Sequence, residues 1–184
     1  MRQSWRDAES ALRDACALDV GPARPLSARM VGPTGTDGSW EDEATAAGYV
    51  FRALRPLSGA PIASLIARVA HATVPCGCRR PCCSGYRVND LWKESIEILA
   101  AAALAADVCH RRYDIRRDVL VSIYGQRQPF VKMAAELEIS EASLARYAKD
   151  MKRWLGIGGT GVEPQAWVEA TELLREAGLL EEAT

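Results

Sequence analysis

Two apolar stripes at helical spacing follow one another between Pro129 and Leu155, and no other feature constrains the fold of this 184-residue chain as strongly. In the first stripe the apolar side chains recur every three or four residues: Phe130, Met133, Ala134 and Leu137. The second stripe keeps the same period: Leu144, Tyr147, Ala148, Met151, Trp154 and Leu155. The pattern predicts two amphipathic helices joined by three or four residues, the layout of a helix-turn-helix.

The ends of these helices are also marked in the sequence. Pro129 suits a first helical position, where its missing N–H costs nothing, and the Ser140 hydroxyl can cap the second helix. We expect Ala134 at the helix crossing, with five apolar side chains in the interior: Met133, Leu137, Ile139, Leu144 and Tyr147. Glu138 stands where such turns usually carry a left-handed glycine, a conformation that is costly for a residue with a Cβ.

The face of the second helix that points away from this interior is basic. It carries Ser143, Arg146, Lys149, Lys152 and Arg153. Only Glu141 and Asp150 oppose this charge, whereas an ordinary solvated face mixes its charges more evenly. The pattern favours a DNA-binding unit over its alternative, an ordinary helical hairpin in a bundle.

Charge is distributed unevenly along the chain although the net charge is only −1. Residues 111–155 hold ten Lys or Arg against six Asp or Glu, whereas residues 156–184 hold one Arg against six Glu. The sequence therefore predicts a basic surface on the paired helices and an acidic one on the tail. With 48% hydrophobic residues and only two Phe, we expect an all-α fold, a helical bundle with a real core.

The first twenty residues carry charges throughout and lack the apolar segment of a secretory signal. The longest apolar run, Ile98 to Ala106, is far shorter than the roughly 20 residues that span a bilayer. We therefore expect a cytoplasmic protein of a bacterial host cell with no membrane association. In that compartment the six cysteines indicate metal binding or free thiols more than disulfides.

The periodic segments divide the chain into three regions. Residues 1–73 are expected to hold an N-terminal helical region with a flexible linker at 21–40, and residues 74–155 a cysteine-rich loop with the DNA-binding domain. Residues 156–184 form a glycine linker and an acidic C-terminal helix. The helices outside the paired segment are predicted at Ser4–Leu18, Ala44–Arg55, from Pro61 onward, Asp90–Arg111 with Asn89 as its cap, Asp114–Tyr124 and Pro164–Leu179.

Four thiols fall within eight residues, at Cys76, Cys78, Cys82 and Cys83. Zinc takes four soft ligands in a tetrahedral shell, and thiolates supply them well. Adjacent cysteines have difficulty reaching one ion, so a fourth ligand is also considered from Cys109, His110 or His71, although His71 is expected to be a packed histidine. The pattern predicts a structural zinc; the alternatives are reduced unligated thiols, an iron–sulfur cluster or a redox pair.

A second basic group precedes the paired helices and consists of Arg111, Arg112, Arg116, Arg117 and Arg127. Asp114 and Asp118 lie among them. The group fits a salt-bridged surface and phosphate contact equally well.

A cysteine-rich loop with adjacent cysteines, a helical spacer and a sigma-factor-like helix-turn-helix together resemble the phage Q-type late-gene antitermination proteins. The resemblance rests on Cys76-Gly-Cys78, Cys82-Cys83 and the Phe130 to Lys149 unit, and it spans about residues 74–155. It implies binding to double-stranded DNA near a late promoter, and loading onto bacterial RNA polymerase that then reads through terminators.

The same resemblance implies a role for each position on the second helix. Ser143, Arg146 and Lys149 would reach the major groove, with Glu141 and Ala142 at the helix entrance. Arginine can bond guanine in bidentate fashion, whereas Lys149, Lys152 and Arg153 would hold phosphate, as would Arg127.

Two other functions remain open from the sequence. One is a promoter-binding repressor or activator that does not load onto polymerase, and the other is a zinc-stabilised protein-interaction module. An enzyme is not expected, because the chain has no Ser-His-Asp order, phosphate loop or paired-carboxylate motif, and only two histidines.

Overall fold

The structure is a computed structural model that describes residues 4–18, 43–76, 85–125 and 128–181. Within that part of the chain, eight α-helices and two short strands follow in order. They are α1 (Ala8–Leu18), α2 (Glu43–Ala53), α3 (Ala60–Val69), β1 (Thr73–Pro75), β2 (Tyr86–Val88), α4 (Asp90–Ala105), α5 (Tyr113–Tyr124), α6 (Phe130–Glu136), α7 (Glu141–Leu155) and α8 (Val162–Glu176).

The predicted helical class is confirmed, with one addition. β1 and β2 pair antiparallel, with Val74 opposite Arg87, and this two-stranded sheet was not predicted. The predicted linker at 21–40 lies outside the described residues. No helix of the described chain is both long and apolar enough to cross a membrane.

One continuous hydrophobic core joins the described helices. Leu12 of α1, Leu65 of α3, Leu99 of α4, Leu120 of α5 and Leu155 of α7 are fully buried in it. α3 packs against both α4 and α8, so the C-terminal helix returns to the N-terminal half of the chain. Residues of all three regions named from the sequence therefore share a single core.

The two ends of the described chain also meet. Trp5 forms a parallel bridge with Leu180: the Trp5 N–H donates to the Leu179 carbonyl at 3.0 Å, and the Glu181 N–H donates to the Trp5 carbonyl at 2.9 Å. Because Trp5 is extended in this bridge, α1 begins at Ala8 and not at Ser4 as predicted. The Asp7 carboxylate accepts the Ser10 N–H at 2.7 Å, and this bond lowers the pKa of Asp7.

A three-residue polar contact ties α3, α5 and α8 together. Arg68 donates to both carboxylate oxygens of Glu163, at 2.7 and 2.9 Å, and its guanidinium lies 4.7 Å from the centre of the Tyr124 ring. The Tyr124 hydroxyl donates to Glu163 at 2.9 Å. Burial, followed by the neighbouring carboxylate, raises the pKa of Tyr124 well above its ordinary value, so the hydroxyl remains a donor. Bidentate geometry makes this one of the stronger kinds of ion pair.

The predicted end of α4 was wrong. The helix stops at Ala105, six residues before Arg111, and residues 106–112 form a loop (the 106–112 loop). Asp107 and Cys109 have φ angles of 52° and 69° in this loop, both in the left-handed region that ends a right-handed helix. Val108 packs against the core from this loop and not from the helix.

α8 begins at Val162 and ends at Glu176, two and three residues earlier than predicted. The glycine segment before it is a tight turn between α7 and α8. A Cβ on Gly161 would lie 2.5 Å from the Gly156 nitrogen, and one on Gly156 would lie 2.6 Å from the Gly161 nitrogen. The two backbones therefore touch, which requires glycine at both positions.

Candidate nucleic-acid interface

The predicted pair of helices is present as α6 and α7, joined by residues 137–140. Ser140 caps α7: its hydroxyl accepts the Ser143 N–H at 3.1 Å. Pro129 stands one position before α6, where its carbonyl accepts the N–H groups of Lys132 and Met133. Glu138 has a φ of 56°, the left-handed conformation expected at this position from the sequence.

The interior of the pair follows the sequence pattern with three differences. Met133, Leu137 and Leu144 are buried, whereas Ile139 and Tyr147 are only partly buried against the same core. Phe130 was expected on the apolar stripe, but it is 36% exposed. It occupies the first turn of α6, beyond the reach of the core, and the seven-residue helix has too few turns to bury it.

Two side chains of the 106–112 loop hold the pair in place. Arg112 donates to the Leu137 carbonyl at 3.1 Å, which anchors the turn between α6 and α7. The His110 ring lies 5.4 Å from the ring of Tyr147 on α7, and its Nδ1 accepts the Arg112 N–H at 3.1 Å. Neither contact leaves a signal in the sequence, since the partners are 25 and 37 residues apart.

The outer face of α7 is exposed and basic. Arg146, Lys149, Lys152 and Arg153 are exposed, as are Glu141 and Ala142 at the start of the helix. Arg153 pairs with Asp150 at 3.1 Å, whereas the other three cations form no ion pair with a described residue. The Arg146 guanidinium lies 5.3 Å from the centre of the Tyr147 ring, which restricts its orientation.

Ser143 lies at the edge of that outer face. It is partly buried, and its hydroxyl lies 2.9 Å from that of Ser140 within the cap. At 100° per residue, Ser143 lies about 40° from Tyr147 and about 60° from Arg146, between the partly buried and the outer sides of the helix. The residue expected to point outward is therefore engaged in the cap of α7.

The second basic group is mainly structural. Arg116 is buried and donates to three carbonyls: Ala100 at 2.8 Å, His110 at 2.9 Å and Arg111. Arg112 pairs with Asp114 at 2.6 Å and Arg117 with Asp118 at 2.7 Å. Hydrogen bonding with Asp114 raises the pKa of Arg112, and the same bond lowers that of Asp114. Arg111 is exposed, and Arg127 lies outside the described residues.

Of the four clustered thiols, only Cys76 lies in the described chain; Cys78, Cys82 and Cys83 lie outside it. The Cys76 N–H donates to the Gly85 carbonyl at 2.8 Å, at the end of the β1–β2 pair where the chain connects the two strands. The sheet therefore holds together the two ends of the segment that contains the other three cysteines. Among the described residues, no three His, Cys, Asp or Glu side chains form a group able to bind a metal.

The remaining candidate ligands have separate environments. His71 follows α3 and is exposed, so the expectation of a packed histidine was wrong; the helix ends at Val69, before the histidine can enter the core. Cys109 is partly buried, and burial raises the pKa of its thiol against the opposing effects of the His110 N–H and Arg116. Metal binding at this thiol would release its proton.

The left-handed Glu138 provides a test of the turn. Replacing Glu138 by glycine should raise the free energy of unfolding by roughly 1 kcal/mol, because glycine adopts this φ without a steric cost. The matched control is Glu136→Gly at the end of α6, which should lower it by roughly 1 kcal/mol. Urea denaturation measures both. Equal destabilisation by the two substitutions would show that position 138 is not strained.

Comparison of the chain with protein-family models, with curated proteins and with solved structures finds no match to any of them.

Proposed function

We propose that this chain is a sequence-specific DNA-binding protein whose α6 and α7 act as a helix-turn-helix. The supporting observation is the outer face of α7, where Arg146, Lys149 and Lys152 are exposed and have no carboxylate partner among the described residues. The opposite face of the same helix is buried through Leu144 and Met151. A rigid helix that presents unpaired cations fits the major groove of B-DNA.

The positions along α7 support different roles. Arg146 lies in the N-terminal half, where recognition helices contact base edges, and it can form two bonds with guanine. Lys149 lies one turn further along the same face and is suited to a base or a phosphate. Lys152 and Arg153 lie in the last turn and are suited to phosphate. Since Ser143 is engaged in the cap, Arg146 is the best candidate for direct readout.

The paired arginines favour a structural role for the second basic group. Arg112 and Arg117 each have a carboxylate partner, and contact with phosphate would require them to exchange it. Buried Arg116 cannot reach a ligand. The DNA-binding surface that we propose is therefore α7 and its immediate neighbours.

Binding to a duplex selected from a random-sequence pool tests this assignment. Arg146→Ala should weaken binding by about 1–3 kcal/mol and relax the preference at one base pair. Lys152→Ala should weaken binding to all sequences alike and reduce the slope of log K against log salt by about 1. Fluorescence anisotropy over a range of salt concentrations measures both effects.

Lys93→Ala is the charge-matched control, because Lys93 is exposed on α4 and pairs with Glu97. It should leave DNA binding unchanged. If Arg146→Ala and Lys149→Ala bind every tested DNA as the parent does, α7 is not the reading helix.

We further propose, on the resemblance to phage Q-type antitermination proteins, that DNA binding leads to loading onto bacterial RNA polymerase. The support consists of a cysteine-rich segment and a basic helix pair within one chain. The alternative is a repressor or activator that binds a promoter in the same way and has no polymerase surface. Neither function requires catalysis, and both place the protein in the cytoplasm of a bacterial cell.

Transcription in vitro separates these two functions. On a template with the selected site upstream of a terminator, the chain should increase readthrough, and the increase should disappear when the site is scrambled. Co-purification with bacterial RNA polymerase should accompany it. Unchanged readthrough with intact DNA binding would favour the repressor or activator.

We also propose that a structural zinc is held by Cys76 with Cys78, Cys82 and Cys83. The described part of the chain supports this through β1 and β2, which bring the two ends of the cysteine segment together. Closing a short loop in advance lowers the entropic cost of gathering its ligands. The metal would stabilise the fold and take no part in a reaction.

Metal analysis of the purified chain tests the zinc. About one equivalent is expected, and chelation should lower the thermal stability, because binding energy of this kind contributes to folding. Less than about half an equivalent in freshly purified, reduced protein would leave the cysteines as unligated thiols.

A protein-interaction module remains the second candidate. The observation in its favour is Val131, a β-branched residue that is 63% exposed on α6 beside the partly exposed Phe130. Exposed apolar side chains can contribute to contact surfaces between proteins.

A further inference from the structure

A groove of about 610 Å³ runs beside the outer face of α7. One side of it is α7 itself, which contributes Lys149, Lys152 and Arg153. Phe130 at the start of α6 lines it as well, and the opposite side is the turn at residues 156–160. No Asp or Glu lines this groove; its charged lining consists of cations, of which Arg153 also pairs with Asp150.

The turn that forms the far side has a fixed shape. Gly156 and Gly158 have φ angles of 82° and 83°, which favour glycine over other residues. The backbones of Gly156 and Gly161 are in contact, as the clash distances at these positions show. The Gly159 N–H donates to the Gly156 carbonyl at 3.0 Å. The turn is thus a preformed wall that faces three cations.

Two backbone donors of this turn have no carbonyl partner. The N–H groups of Gly158 and Thr160 donate to no backbone carbonyl within the described ranges, and both residues are exposed. Backbone amides with no carbonyl partner in a glycine-rich turn can donate to oxyanions. The groove thus combines cations of α7 with amide donors of the turn, and both suit the oxygen atoms of a phosphate group.

We propose that this groove binds a phosphate of the DNA backbone next to the base pairs that α7 reads. The inference rests on the proposed DNA-binding function and adds the 156–160 turn to the contact surface. DNA is favoured as the source of the phosphate because the groove is open and shares Lys149 and Arg153 with the outer face of α7. A strand that lies against α7 can therefore continue into the groove.

Gly159 offers a selective test. A Cβ there meets no atom within 4 Å, and its φ lies outside the left-handed region, so a side chain is tolerated. Gly159→Asp places a negative charge at the groove, Gly159→Asn is its neutral isostere, and Gly159→Lys adds a cation. On the selected duplex, Gly159→Asp should bind about fivefold more weakly and Gly159→Lys more tightly, with Gly159→Asn close to the parent.

Thr160→Glu and its neutral isostere Thr160→Gln repeat this comparison at a second position of the turn. Thermal melting checks that every variant folds. Competition with free inorganic phosphate and with a mononucleotide shows whether the groove prefers the phosphate of DNA or that of a small molecule. If DNA is the ligand, both compounds should displace it only at concentrations high enough to weaken the electrostatic attraction by ionic screening. If both bind tightly to the parent and Gly159→Asp abolishes that binding, the groove is a small-molecule site and the proposal is overturned.

Different outcomes would exclude the groove from the interface and overturn the DNA-binding function. If Arg146→Ala weakens DNA binding but the substitutions at positions 159 and 160 change neither the affinity nor the slope of log K against log salt, the groove is not part of the interface. The DNA-binding function then stands. If the parent binds no duplex at all, both are overturned.

Discussion

The geometry of the proposed interface depends on the buried guanidinium of Arg116. From α5 it donates to the Ala100 carbonyl in α4 and to the carbonyls of His110 and Arg111 in the 106–112 loop. The carbonyls of His110 and Arg111 lie beyond the end of α4, where no helical N–H pairs with them. An unpaired buried carbonyl costs about 1–3 kcal/mol, and the Arg116 guanidinium removes that cost at both atoms. The loop then presents His110 to Tyr147 and Arg112 to the Leu137 carbonyl. The position of α6 and α7 therefore follows from an arginine in neither helix.

The free-energy cost of backbone strain at the turn between α6 and α7 is smaller than the stabilisation from the apolar side chains that α7 buries. A left-handed Glu138 costs about 1–2 kcal/mol relative to glycine. Leu144, Met151 and Leu155 of α7 are completely buried, and each large apolar side chain contributes about 1.5–3 kcal/mol when it leaves water. Because the burial term is several times larger, the packing of α7 imposes the turn geometry whatever residue stands at position 138. The departure from glycine is consequently compatible with a well-formed turn.

The sequence predicted the features that depend on local patterns, such as helix positions and caps. It did not predict the features that depend on residues far apart in the chain. Helical periodicity placed α5, α6 and α7 within one or two residues, and short-range chemistry identified the caps at Asn89 and Ser140. The end of α4 was misplaced, because the chain leaves the helix through the left-handed residues Asp107 and Cys109 at a point that no glycine or proline marks. Arg116 was read as a surface cation, since its carbonyl partners come from a loop that the pattern did not reveal. The bidentate pair of Arg68 and Glu163 spans 95 residues, and no local rule connects such positions.

The same limit applies to the candidate site, where the face of α7 could be predicted but its surroundings could not. The helical periodicity is sufficient to predict that Arg146 and Lys149 point outward. The groove, however, exists because Gly156 and Gly161 are in contact across a turn that the sequence analysis interpreted as a linker.

A net charge of −1 would suggest little affinity for DNA if only the total charge of the protein determined binding. Electrostatic interactions in solution are screened over about 8–10 Å at moderate salt, so a phosphate beside α7 responds mainly to nearby groups. Those groups are Arg146, Lys149 and Lys152, without carboxylate partners in the described chain. Glu169, Glu172 and Glu176 are exposed on α8 and make other faces of the molecule repel a polyanion. The separation of charge therefore favours one orientation of the protein on DNA, which overall neutrality does not prevent.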